Sequence, residues 1–471
     1  MKPGDILALS CAQLAHAIRE RQVSCAAAME ATLERARAAQ SKLNCFIRID
    51  AEPAMAAARS ADQELARGQV RGALHGVPMA HKDMYYRRGL ASTCGSRILR
   101  ERAAETTATA LERLDAAGAI QFGVLNMAEF AFSPTGHNWH YGHCRNPWDP
   151  QRITGGSSSG SGSSVAARAA FAALGSDTGG SIRLPATFCG TSGVKPTYAR
   201  VSRAGAMPLS FSMDTVGPLT RTVQDAALVL QAIAGPDARD PTCENRPVPD
   251  WMRELERPIA GLRIGRPRQY FYEDCDGEIA AALEASLDTF RKLGATVVDV
   301  DIPDLGPWNA AGTIIIGAEA SAYHGNWLRT RSQDYSEQLR QRLEQGLAIP
   351  AAGYIDALRM RGVALRRFCD QVFSKVDVLH APIVAFATPT IAETDIGGGE
   401  AAAKLLARIT RLTRPGNYLG LPAVCAVAGF TSSGMPIGMQ LLARPWDETS
   451  AFRAGHAFQG ATDFHLRAPR I

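Results

Sequence analysis

GGSSSGSGSSVAAR at 155–168 and GSDTGGSIRLPATFCG at 175–190 are two serine-rich, glycine-rich turns, with Ser157 in the first and Ser181 24 positions later in the second. One such turn has no fixed meaning, because glycine and serine fill flexible linkers and phosphate loops alike. Lys82 stands 75 positions before Ser157, in GVPMAHKDM, an apolar stretch with the character of a strand. Two turns together with such a lysine describe a serine nucleophile served by a base other than histidine.

Helix and strand patterns alternate outward from this pair. TALERLDAAG at 109–118 reads as a helix ending at Gly118, AIQFGVL as a strand, and about Ser161 to Ala173 as a helix following the first turn. LRIGRP at 262–267 and ATVVDVDIP at 295–303 read as strands around a helix at 277–293, and VDVLHAPIVA and PIGMQLLAR add two more. Ser10 with Gln13 forms a capping box that opens the first clear helix, and Ser24 caps the next. The alternation predicts an α/β fold. The proline-rich, charged stretch at 235–255 reads as a connection or the edge of an insertion, with further helices at about 315–375.

Composition narrows the function classes. At 471 residues the chain exceeds the roughly 250–300 at which one hydrophobic core stops growing, so length alone favours two or three domains. Its 46% apolar and 21% charged residues are those of a soluble globular protein. The net charge of +5 is mild and its arginines are dispersed, so no nucleic-acid partner is implied. The first 25 residues lack an apolar core with a cleavage site, and no run of 18 apolar residues follows, so a cytoplasmic protein without a membrane partner is expected. Ten cysteines without a C-x-x-C pair are expected to be free thiols.

A serine hydroxyl is a poor nucleophile until a base takes its proton, and a lysine can be that base only when neutral. Desolvation disfavours the ammonium form, and Lys82 follows Val77, Pro78, Met79 and Ala80, so it is expected to be buried and largely uncharged. Gly179 and Gly180 before Ser181 allow backbone N–H groups to converge on a carbonyl oxygen that gains charge, which is an oxyanion hole. Ser157 then fits between Lys82 and Ser181 as a proton relay.

These motifs resemble those of the amidase signature family of serine hydrolases: GVPMAHKDM, NPWDPQRITGGSSSGSG, GSDTGGSIRLPATFCGTSGVKPT and SFSMDTVGPLTRTVQDAALVL. The likeness extends to LSCAQLAHAIRERQVS near the start and to GNYLGLPAVCAVAGF and MPIGMQLLARPWDE near the end, and is weak at about 235–370. It implies one domain over 1–471 with a less family-like insertion there, built on a large, mixed, twisted β-sheet flanked by helices. By the same resemblance Lys82 is the catalytic lysine, Ser157 the bridging serine after a cis peptide bond from Gly156, and Ser181 the acyl-accepting serine. The oxyanion donors are then the amides of Thr178, Gly179, Gly180 and Ser181, and Phe132 lines the substrate pocket. No metal or organic cofactor enters this scheme.

Other readings of these residues are weaker. Gly156 to Gly160 matches the G-x-S-x-G elbow of α/β-hydrolases with Ser158 at its centre, but that leaves DTGGS and Lys82 unexplained. His137, His140 and His143 invite a metal, yet their segment is turn-rich and helical spacing does not apply. Lys82 taken alone reads first as a structural ion pair with Asp83 or another acid, because most lysines are solvated or paired, and it is the two serine turns at their spacing that turn the reading to a base.

The resemblance implies an amidase that hydrolyses a carboxamide or aryl amide, with ester and carbamate (urethane) bonds admitted because they present a similar carbonyl. The expected partner is a small amide-type substrate; the chain is expected to be a monomer or homodimer without an obligate partner. The alternative is the glutaminase subunit of a tRNA-dependent amidotransferase. Against it, Thr410 stands where the family's glutaminases carry an acidic residue, with Thr413 and Arg414 nearby.

Overall fold

Eleven short apolar runs pair into one continuous mixed sheet in the computed structural model, which describes residues 1–471. The strands are β1 (Phe46–Ile49), β2 (Pro78–Lys82), β3 (Ile120–Leu125), β4 (Ala172–Asp177), β5 (Ser192–Lys195), β6 (Thr215–Thr220), β7 (Arg263–Pro267), β8 (Thr296–Val300), β9 (Val378–Pro382), β10 (Ala423–Phe430) and β11 (Pro436–Ala443). Their spatial order is β1-β3-β2-β4-β6-β5-β10-β11-β9-β7-β8. The β2–β3, β2–β4, β7–β8 and β7–β9 pairs are parallel and the others antiparallel. Every residue of β2, β4, β5, β6, β9 and β11 is buried, as a sheet covered by helices on both faces requires.

The local chemistry explains several elements. Ser10 Oγ accepts from Gln13 N–H (3.2 Å) while Ser10 N–H donates to Gln13 Oε1 (2.8 Å), so the expected capping box opens the helix Cys11–Arg19. Thr222 caps Val223–Ile233 by a single bond, its side chain accepting from Asp225 N–H (3.0 Å).

One element departs from the sequence expectation. The helix after the first turn spans only Ser159–Ala166, and the alanine-rich run that follows becomes β4 from Ala172. Arg168, at φ +57°, turns the chain out of the helix. Alanine favours helices by less than a kcal/mol or so per residue, and pairing of β4 between β2 and β6 at the centre of the sheet outweighs that preference.

The segment at 235–370, where the resemblance was weakest, is joined to the same sheet. It supplies β7 and β8 at the edge beyond β9, and its helices Gly306–Arg331 and Glu337–Leu347 reach across to the serine turns.

Candidate active site

Strands β2 and β4 run parallel, so their carboxyl ends emerge on the same side of the sheet, where open α/β sheets place their ligands. Lys82 is the last residue of β2, and Ser176 and Asp177 are the last two of β4. Lys82 has no solvent exposure, and its Nζ donates to Ser157 Oγ (2.6 Å) and to Ser176 Oγ (2.9 Å). Burial lowers its pKa from the usual lysine value to about 7, although the Asp214 and Asp177 carboxylates pull in the opposite direction. At neutral pH a large fraction of the amine is therefore unprotonated, with a lone pair to accept a proton.

The first turn holds Ser157 against Lys82 by backbone bonds. Gly156 N–H donates to Pro134 O (2.7 Å), Ser157 O accepts from Ala128 N–H (3.1 Å), and the Gly156–Ser157 peptide is cis. A Cβ on Gly156 would sit 2.5 Å from both Gly136 N and Ser133 O, so only glycine fits between these strands of backbone. Ser158, the alternative nucleophile, is fully buried and donates to Ser176 O (3.3 Å). It is a packing residue that ties the turn to β4.

The second turn is organised by Asp177, whose role the sequence reading did not anticipate. Its carboxylate accepts from the N–H groups of Gly180 (2.8 Å), Ile182 (3.2 Å) and Arg183 (3.3 Å), and from Asn417 Nδ2 (2.8 Å). Arg183 grips it with both Nε (3.0 Å) and Nη2 (3.1 Å), and both side chains are without solvent exposure. Burial raises the carboxyl pKa, but the Arg183 guanidinium and these hydrogen bonds overcome it and hold the group well below the ordinary carboxylate range. Next to it, Asp214 accepts from Thr178 Oγ1 (2.5 Å) and Leu209 N–H (2.9 Å), and burial pushes it up to about 6.

This clamp bears on the expected oxyanion donors. The N–H of Gly180 is committed to Asp177, whereas those of Thr178, Gly179 and Ser181 make no hydrogen bond within the protein. Ser181 is 8% exposed, its hydroxyl has no protein partner, and it faces a cavity of about 340 Å³. Lys82 and Ser157 are thus in direct contact, and Ser181 lies at the cavity wall with Thr178 and Gly179.

Phe132, expected in the substrate pocket, lines that cavity, and the Arg342 guanidinium lies 3.6 Å above its ring centroid. Thr410 and Arg414 line it as well. The three histidines take separate partners: His140 Nε2 meets Glu129 (2.8 Å), His143 Nε2 meets Asp395 (3.1 Å) and His137 Nε2 meets Thr394 Oγ1 (2.9 Å). They hold the loop over the first turn to its surroundings.

Residues missed at the sequence level include Ser176, Asp177, Arg183, Arg342 and Asn417. Asp177 and Arg183 carried a readable signal, an acid just before the glycines and an arginine six positions on. Arg342 and Asn417 arrive from distant parts of the chain and had none.

Residues 27–451 match the family model described as Amidase. The chain is 42% identical over 94% of its length to a glutamyl-tRNA(Gln) amidotransferase subunit of Anaeromyxobacter sp. (strain K), covering 94% of that protein, and 38% identical to the subunit of the same name from Azotobacter vinelandii, with 98% and 99% covered. Among solved structures it resembles a chain from a vestigial protein complex reported to reveal the evolutionary origins of an s-triazine catabolic enzyme (TM-score 0.91, 35% identity, 98% of this chain and 100% of that one). It also resembles a peptide amidase bound to the competitive inhibitor chymostatin (TM-score 0.86, 28% identity, 98% and 99%). The chain belongs to the amidase family, the amidase-signature hydrolases of amide C–N bonds.

Proposed function

We propose that this protein cleaves its amide through an acyl-enzyme on Ser181, with Ser157 passing the Ser181 proton to neutral Lys82. As Ser181 Oγ bonds to the carbonyl carbon, its proton moves to Ser157 and the Ser157 proton to Lys82. Collapse of the tetrahedral intermediate breaks the C–N bond, and the proton on Lys82 returns through Ser157 to the departing nitrogen. Water, activated by the same pair, then releases the acid. The N–H groups of Thr178, Gly179 and Ser181 receive the oxyanion; each such donor is typically worth about 10²- to 10³-fold in rate.

The observation that carries this reading is the 2.6 Å contact between a fully buried lysine and the hydroxyl of Ser157. A panel of aliphatic amides, aryl amides, esters and carbamates, assayed with wild type and Ser181→Ala, tests it: turnover is expected in the first and absent in the second. Turnover that survives Ser181→Ala would remove Ser181 as the acyl acceptor.

A second reading is favoured by the names of the relatives at 37–42% identity: a glutamine-hydrolysing subunit that works with partner chains in a tRNA-dependent amidotransferase. Glutamine hydrolysis that appears only when such partner chains are added supports it. Hydrolysis of simple amides by the isolated chain supports a stand-alone amidase.

A further inference from the structure

The cavity in front of Ser181 contains two arginines and no acid. Its lining has neither Asp nor Glu, and neither Arg342 nor Arg414 forms an ion pair anywhere in the protein. Arg414 is 8% exposed; its Nη1 donates to Asn309 Oδ1 (3.1 Å) and Thr313 Oγ1 (2.9 Å) and its Nη2 to Thr410 Oγ1, all neutral acceptors. Its Nε is buried without any partner, and lies 3.8 Å from where a Cβ on Gly179 would be, beside the expected oxyanion donors. Arg342 stacks on Phe132 and donates only to Phe132 O. Burial lowers the pKa of both guanidinium groups, Arg414 to about 10 and Arg342, where the Arg414 charge adds to the effect of burial, to about 9.

Two guanidinium groups on one cavity wall, Arg414 buried and Arg342 half-buried, with no carboxylate to balance them, make a site that an anion completes. A guanidinium presents a planar fork that matches a carboxylate, so the complement is a small acidic molecule whose charge lies a few bonds from the scissile carbonyl. Nothing in the lining neutralises an ammonium group, which would meet two like charges.

We infer that the substrate is an anionic amide, carrying a carboxylate or similar acid that pairs with Arg342 and Arg414, and carrying no ammonium group near it. This rests on the reading of Ser181 as acyl acceptor. It deepens that reading by assigning the charge of the acyl group, and it sets free glutamine, an amino acid with an ammonium beside its carboxylate, below a simple acid amide.

The test is a matched pair of primary amides, succinamate and butyramide, which differ by a carboxylate in place of a methyl group, with glutamine as the third compound. In wild type, kcat/KM for succinamate is expected to exceed that for butyramide by at least about 100-fold and also to exceed that for glutamine. The preference is expected to fall at least about 10-fold in Arg342→Gln and in Arg414→Gln, mainly through KM, and to be partly kept in Arg342→Lys and Arg414→Lys. Equal rates on the pair, glutamine as the better substrate, or a preference that survives both glutamine variants would overturn the inference while leaving Ser181 in its role. If wild type hydrolyses none of the three, the acyl-serine reading fails for this amide class. The charge assignment is still decided by calorimetric titration of the Ser181→Ala protein, where tighter binding of succinamate than of butyramide supports it and equal binding overturns it.

Discussion

Lys82 Nζ and Ser157 Oγ lie 2.6 Å apart, and neither residue has any exposure to solvent. A protonated amine in that place would lack hydration and could accept nothing, so the base form is the working one. With the Lys82 pKa lowered to about 7, kcat/KM is expected to rise with pH through about 7 and level off above it. Lys82→Ala is expected to lower the rate by about 10²- to 10⁴-fold and to remove that inflection. Rates from pH 5 to 9 check this; an inflection that persists in the variant would assign it to another group.

The same burial predicts an exchange of stability for activity. A lysine with a folded pKa of about 7 and an unfolded value of 10.5 binds fewer protons folded than unfolded between those limits, so its unfavourable contribution is full below about pH 7 and relieved as pH rises to 10.5. Lys82→Met, which fills the space and does not titrate, should be inactive and should gain in Tm over wild type most at pH 6–7 and least near pH 10. Thermal melts across this range measure it, and a gain that grows with pH would contradict the burial account.

Asp177 is the point from which the second turn hangs. Asp177→Asn leaves the Arg183 guanidinium buried without its charge partner, a change that typically costs about 3–5 kcal/mol. Denaturant unfolding should show that loss, together with a fall in kcat, since one of the two oxygens that organise the turn becomes an amide NH2 set against the Arg183 guanidinium and backbone N–H groups. Because the Asp177 pKa is held low, its stabilising contribution is present at neutral pH and is lost only as pH falls below the ordinary carboxylate range. The wild-type and variant stabilities should therefore converge in acid, and not at alkaline pH.

Gly180 combines φ +134° with a tight contact, because a Cβ there would run into the Thr413 hydroxyl, which itself bonds Gly179 O (2.6 Å). Gly180→Ala is expected to lower kcat by at least about 10²-fold through displaced oxyanion donors, with a smaller change in KM. A variant with wild-type kcat would show that the turn tolerates repositioning.

Much of this site was legible in the sequence because its chemistry is local. Ser157, Ser181 and their glycines sit in two short turns, and Lys82 sits in a short apolar strand, so residue type and neighbours sufficed to place them. Phe132 was found through the resemblance alone. What was not legible depends on long-range packing: β4 begins at Ala172 in an alanine run that reads locally as helix, because its partners β2 and β6 lie far away in sequence. Gly180 N–H as an open oxyanion donor also fails to follow from glycine content, since its acceptor is the side chain three residues earlier. The Arg342–Phe132 stack joins residues 210 positions apart, across the segment where the resemblance was weakest.

Labelling with a fluorophosphonate, followed by peptide mapping by mass spectrometry, tests the relay most directly. One phosphonyl group on Ser181 is expected in wild type, none in Ser181→Ala, and labelling at least about 10²-fold slower in both Lys82→Ala and Ser157→Ala. Label on a different residue, or undiminished labelling of Ser181 when Lys82 is gone, would contradict it.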